Sequence, residues 1–379
     1  MLGFKTAVLS AAIIFREDYY VWTAAVFVGA AFVFFVMTVY SGKTEKSGRI
    51  IRAITAVFMI IAAASFTGCG EGSEEPLKKP EIKESVKLKF VPSVLLAVSG
   101  NKLYVGSERQ TRVFLYNMKT QKIEDTIVTG MYPYDMILDD GKLYIANNRG
   151  ANVTIYDIKE QQTVDIRTRG TYPAAVALSG DKKKLYAANM GSSNVSVIDL
   201  EKKESVRRVG TGKWPSGLYM DEEGVYLYVA CKYTNTIEII DTRTDELILT
   251  KIDAGISPAD LMPINKTDIL VISEWEYSYN QKSSIVVMDK RDFSIKRTIM
   301  TEGGAPAGIV SKSRKYIYLA IPLKDMVVFM DYESGKEVHR IVFEDRMPRW
   351  MSLSPDGKSL YVTTQKDRMI HRIALNGMI

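Results

Sequence analysis

Seven prolines constrain this chain more than any other feature. Pro92, Pro133, Pro173, Pro215, Pro258, Pro306 and Pro348 recur at spacings of 41, 40, 42, 43, 48 and 42 residues. After each Pro comes an apolar stretch, a turn, and a second strand of one type: LYVGSE, LYIANN, LYAANM, LYVACK, ILVISE, IYLAIP and LYVTTQ. A polar loop leads to a third strand (VFLYNM, VTIYDI, VSVIDL, IEIIDT, IVVMDK, VVFMDY, IHRIAL). A fourth, more polar strand runs to the next Pro. β-Branched and aromatic residues bounded by turn residues read as strands. Four strands in a unit of about 40–50 residues are the arithmetic of a β-propeller blade. Asp157, Asp199, Asp241, Asp289 and Asp331 close the third strand, where a short carboxylate accepts turn N–H groups. Fivefold recurrence makes them scaffold.

The unit that begins at Pro348 has only 31 residues and lacks a fourth strand. Glu81–Pro92 (EIKESVKLKFVP) aligns with KIEDTIVTGMYP, the fourth strand of the following unit. The N-terminal strand is therefore expected to complete the last blade, which removes an exposed three-stranded edge. The fold class expected is all-β: seven four-stranded blades over 81–379, the last closed by an N-terminal strand. These repeats, SPDGKSLYVTT at 354–364 among them, resemble the YVTN family of β-propeller repeats, in the wider group of seven-bladed lactonase-like propellers. The resemblance covers residues 81–379. Relatives include secreted surface proteins, binding proteins, and some enzymes or haem-binding domains, so it implies a fold and leaves activity open.

The first eighty residues are different. Residues 19–40 are uncharged and mostly apolar for 22 positions, enough to cross a bilayer as a helix, with Tyr19, Tyr20, Trp22 and Tyr40 at the ends. Lys43, Lys46, Arg49 and Arg52 follow, then a 14-residue apolar run, Ala53 to Phe66, of signal-peptide length. Phe66-Thr67-Gly68-Cys69 resembles the bacterial lipoprotein processing box, with Phe66 where Leu is usual. The resemblance implies that Cys69 is acylated and becomes the mature N-terminus. Residues 1–36 are either a transmembrane helix or an over-called start before Met37. Residues 37–68 read as the signal peptide and 69–80 as a polar tether. The basic loop stays cytoplasmic under the positive-inside rule, so either reading puts the bulk of the chain outside the cytoplasm. Gly70 mildly favours the outer membrane.

In a propeller, the loops between blades and those between second and third strands share the face around the channel mouth. Trp214, Trp275 and Trp350 all map there, either as ligand contacts or as covers for neighbouring blades. The longest unit owes its extra length to Ser273–Asn280, where acidic and aromatic residues, Trp275 and Tyr277 included, alternate. Tyr134, Asp135, Arg149, Lys232, Asp260, Arg349 and Arg368 are expected around the same mouth. Asp135 and Asp260 sit two positions after their prolines and three blades apart, facing each other across the channel. Two opposed carboxylates could hold a cation or a basic ligand. A full calcium shell is not apparent, and neither a metal nor a cofactor is assigned.

The chain has two His and two Cys. That excludes a Cys/His zinc site, a four-thiolate iron–sulfur cluster and a disulfide framework. His339 and His371 fall on outer strands away from the mouth, as surface or sheet residues. A His general base or a Ser–His–Asp triad thus has no candidate at the mouth. Cys231 reads as a buried thiol. The net charge of +6 is spread without a basic stripe, and nucleic acid is a poor fit. The expectation is a monomeric, lipid-anchored, extracytoplasmic binding module of the bacterial envelope. Its partner would be an envelope protein, a peptide or a carbohydrate. The alternative is a lactonase-like or other hydrolase using channel carboxylates.

Overall fold

The computed structural model of the chain describes residues 78–99, 101–253, 255–274 and 283–379. The two apolar runs, Cys69 and the start of the tether lie outside the described residues, as do Trp275 and Tyr277. Each repeat is one antiparallel sheet of four strands in sequence order, and an initial strand β1 (Glu81–Lys87) joins the last. Blade one is β2 (Pro92–Ser99), β3 (Lys102–Ser107), β4 (Arg112–Asn117) and β5 (Lys122–Val128). Blade two is β6 (Pro133–Asp139), β7 (Lys142–Asn147), β8 (Asn152–Asp157) and β9 (Gln162–Arg167). Blade three is β10 (Pro173–Leu178), β11 (Lys184–Asn189), β12 (Asn194–Asp199) and β13 (Glu204–Gly210). Blade four is β14 (Pro215–Met220), β15 (Tyr226–Cys231), β16 (Thr236–Asp241) and β17 (Glu246–Asp253). Blade five is β18 (Pro258–Pro263), β19 (Asp268–Ser273), β20 (Ser283–Asp289) and β21 (Ile295–Thr301). Blade six is β22 (Gly308–Val310), β23 (Tyr316–Ile321), β24 (Met326–Asp331) and β25 (Glu337–Val342). Blade seven is β26 (Pro348–Leu353), β27 (Ser359–Thr364) and β28 (Met369–Ala374), with β1 as its outer strand. Each inner strand packs on the next, and β26 packs back on β2, so the ring closes.

The core is divided among the blade interfaces. Leu143, Ile145 and Tyr156 of blade two meet Val94, Tyr104 and Val113 of blade one. The same pattern recurs around the ring, and blade seven closes on blade one through Tyr361, Ile370, Leu95, Leu103 and Phe114. Val86, Leu88 and Phe90 of the N-terminal segment bury themselves in that last interface. A blade is thus buried only by its neighbours, the reason a ring must close.

Six of the seven outer strands carry a register irregularity, in β1, β5, β13, β17, β21 and β25. A bulge twists an unpaired edge away from further pairing. The third-strand aspartates take the expected role. Asp157 Oδ1 accepts the N–H groups of Lys159 and Glu160, and Asp199 Oδ1 those of Glu201 and Lys202.

At the mouth face, the loop between blades is zipped to the loop between second and third strands. Asn148 N donates to Tyr132 O and Arg149 N to Met131 O, at 2.8 and 3.1 Å. Lys232 and Tyr233 repeat this on Trp214 and Lys213. The residue before the repeat Pro turns left-handed in five units: Tyr132, Tyr172, Trp214, Ser257 and Met347 have φ of 53–63°. Bulky residues seldom adopt that region, and its recurrence marks a feature of the scaffold. Close packing also requires glycine beneath the loop: a Cβ on Gly170 would lie 2.4 Å from the Asn189 side chain. The opposite face carries the tight turns between first and second and between third and fourth strands.

Candidate functional site at the channel mouth

The inner strands are irregular just after the proline. In blade two Pro133 pairs with Asn147 and Asp135 with Ala146, so Tyr134 is left out of the ladder. Blade five skips one residue likewise between Pro258 and Asp260. Blade seven has the widest gap: Pro348 pairs with Thr364 and Met351 with Val362, leaving both Arg349 and Trp350 unpaired. The Thr363 hydroxyl fills the gap, accepting Trp350 N–H at 3.2 Å and lying 3.3 Å from Trp350 O. Bulges re-aim side chains, and here they direct the residues after the proline to the mouth and channel. Trp350 therefore belongs to an inner strand and not, as its sequence position suggested, to a loop.

These re-aimed side chains meet. The rings of Tyr134 and Trp350 pack edge to face at 5.2 Å, and Tyr132 packs on Tyr134 at 5.6 Å. The Arg349 guanidinium lies 5.5 Å from the Trp350 ring and that of Arg149 5.2 Å from the Tyr132 ring, within cation–π range. Arg349 also donates to the Tyr134 hydroxyl, whose pKa burial pushes up to about 12. The Trp350 indole N–H is buried without an acceptor among the described residues. Lys232 and Glu274 form an ion pair at 2.8 Å, with side chains only 13% and 10% exposed. Glu274 adds a smaller upward contribution to the Tyr134 shift.

Asp135 and Asp260 lie below, partly exposed to the channel and enclosed by the ring. Burial raises both carboxyls to about 6, and the charge of Asp135 adds to the shift of Asp260. Each also has a partner on the next blade. Asp135 Oδ2 accepts Val176 N–H at 2.9 Å, and Asp260 Oδ2 accepts Gly308 N–H at 3.3 Å. Ser93 and Ser216 make comparable stitches to carbonyls of the neighbouring blade. Among the described residues no three His, Cys, Asp or Glu side chains cluster as metal ligands would.

Trp214 stands apart from this cluster, stacked on Tyr233 at 4.8 Å. Around it the mouth face exposes Met131, Tyr172, Tyr233 and Ile256, each about half exposed. Tyr132, Tyr233 and Thr363 were not picked out from sequence. Tyr132 holds the pre-proline position that Trp214 holds two units later, and that equivalence would have found it. His371 is a sheet residue, one of the two roles expected of it, and is fully buried. Cys231 is also fully buried.

Residues 160–260 match the family described as "Lactonase, 7-bladed beta-propeller", a stretch that runs from β9 into β18. A solved structure from Kuenenia stuttgartiensis, titled Hydrazine Synthase, is similar with a TM-score of 0.65 at 18% identity, covering 76% of this chain and 97% of that one. At that identity the likeness concerns the fold alone. A search of curated proteins finds no match.

Proposed function

We propose that the protein is a membrane-anchored, extracytoplasmic binding module that takes a protein or peptide partner at the mouth face. The observation that carries this reading is the convergence of Tyr132, Tyr134, Arg149, Arg349 and Trp350, assembled from blades two and seven. Aromatic residues and Arg dominate binding energy at protein interfaces. The guanidinium groups of Arg149 and Arg349 favour a partner that presents a carboxylate. The apolar ring of Met131, Tyr172, Tyr233 and Ile256 widens the surface beyond a small-molecule pocket. The lipoprotein-type segment ending at Cys69 supports the envelope location.

A hydrolase would draw on Asp135 and Asp260. Their bonds to the next blade's N–H groups support a stitching role instead.

The test is cross-linked capture from the native envelope with wild type, Arg149→Ala and Trp214→Ala, each checked for an unchanged thermal midpoint. Loss of the same partner from both variants is expected. A partner set that does not change removes the mouth-face reading. Intact mass of the native protein tests the anchor separately, since an unmodified N-terminus or a retained 37–68 segment would sink it.

A further inference from the structure

We infer that the turn face of blades six and seven is a docking surface for an anionic lipid headgroup layer, so that the channel mouth points away from the membrane. This rests on the membrane-anchored reading above. It goes beyond that reading by stating which face lies against the bilayer.

The first observation is where the described chain begins. Residues 78–80 lead into Glu81, which pairs with Ala374 at the turn-face end of β28; Lys87 pairs with Met369 at the mouth-face end. The lead-in is held at the turn face. Asn376 Nδ2 donates to Lys79 O at 2.8 Å, and His339 Nε2 lies 3.1 Å from Pro80 O. Both apolar runs precede Lys78 in the sequence, the nearer ending at Phe66. The residues between Phe66 and Lys78 span at most about 40 Å fully extended.

The second observation is charge. Around this point the turns expose Lys78, Lys79, Lys312, Arg314, Lys315, Lys336 and Lys358, against Glu81, Glu333, Asp356 and the half-buried Asp331. The patch is continuous: Lys312 lies against Gly357, Ser313 N donates to Ile379 O, and Leu375 N to Lys358 O. Lys312 and Arg314 donate to the backbone carbonyls of Pro355 and Pro263, which leaves their charges uncompensated. None of the seven is in an ion pair among the described residues, whereas Lys290, at the equivalent turn of blade five, is paired with Glu222. The turn between the first two strands of blade four, by contrast, reads Asp221-Glu222-Glu223. Exposed Lys and Arg beside a membrane attachment are drawn to anionic headgroups over about a Debye length.

The experiment uses the full chain reconstituted with vesicles of phosphatidylcholine alone or enriched in phosphatidylglycerol. One fluorophore is placed at Ser334 on the turn face or at Tyr233 on the mouth face, and quenching by a headgroup-attached acceptor is read. In the anionic vesicles the Ser334 label should be quenched severalfold more than the Tyr233 label. Lys312→Glu/Arg314→Glu/Lys358→Glu should erase that excess, while Lys183→Glu/Lys203→Glu on the turns of blade three leaves it. Equal quenching at the two positions, stronger quenching at Tyr233, or an unchanged triple variant overturns the inference while anchoring stands. A chain that floats with neither vesicle removes the anchoring reading and this inference with it.

Discussion

Ser85 Oγ lies 2.7 Å from His371 Nδ1, across the junction where the first described strand meets the last. On its other side His371 Nε2 is 3.0 Å from Thr364 Oγ1, which donates to Asp367. Phe343 packs on the imidazole at 5.0 Å. With His339 beside Pro80 O, both histidines of the chain act at the closure of the ring.

Closure by β1 should therefore dominate stability. A chain beginning at Ser93 loses the burial of Val86, Leu88 and Phe90, worth about 1.5–3 kcal/mol apiece. It also leaves β28 as an open edge. Its thermal midpoint is expected to fall well below that of a chain beginning at Lys78, and equal midpoints would refute the closure.

Acid should loosen the same junction. Burial holds the His371 pKa down at about 4, below the unfolded value near 6.5. The neutral imidazole therefore contributes stability that is present above about pH 6.5 and is lost as pH falls toward 4. The slope is at most about 1.4 kcal/mol per pH unit. Urea midpoints of His371→Gln should show a shallower decline across this window than those of wild type. Parallel curves would remove His371 as the cause.

Asp135 and Asp260 work in the opposite direction. Their folded pKa values near 6 exceed the unfolded value, so their contribution is present below about pH 4 and is lost as pH rises through 6. Asp135→Asn keeps an acceptor for Val176 N–H and removes the buried charge. It should gain about 1–2 kcal/mol at pH 7, a figure discounted for solvent in the channel, and nothing at pH 4. Destabilisation at pH 7 would mean that the carboxylate itself is needed there.

Cys231 should be chemically silent. It is fully buried, and burial beside Glu238 pushes its thiol up to about 12. Maleimide should leave it unmodified in the native protein and react with it once urea unfolds the chain. Rapid native labelling would place the thiol at an accessible surface.

Repetition made the fold legible. A proline and an LYV-type strand recurring about every forty residues indicate four strands per blade, and the short last unit indicates what must complete it. These are local patterns, and local chemistry decides them. The mouth residues were legible only by position, because every unit offers a residue after its proline. That Arg349 and Trp350 both leave the ladder depends on a bulge in which these two residues face one, Thr363, between the Pro348–Thr364 and Met351–Val362 pairs, and no pattern in either strand announces it. His371 read as one more strand residue. Its burial depends on Phe343 of blade six and Ser85 of β1, which are distant in sequence.

The sequence by itself determined the number of blades, the strand order, the turn aspartates and the need for an N-terminal strand, since each follows from periodicity and turn chemistry. The tertiary structure alone decided which side chains meet at the mouth, which carboxylates become buried beside the channel, and where both histidines act. Those outcomes depend on bulges and on contacts between blades, and such contacts exist only once the ring has closed.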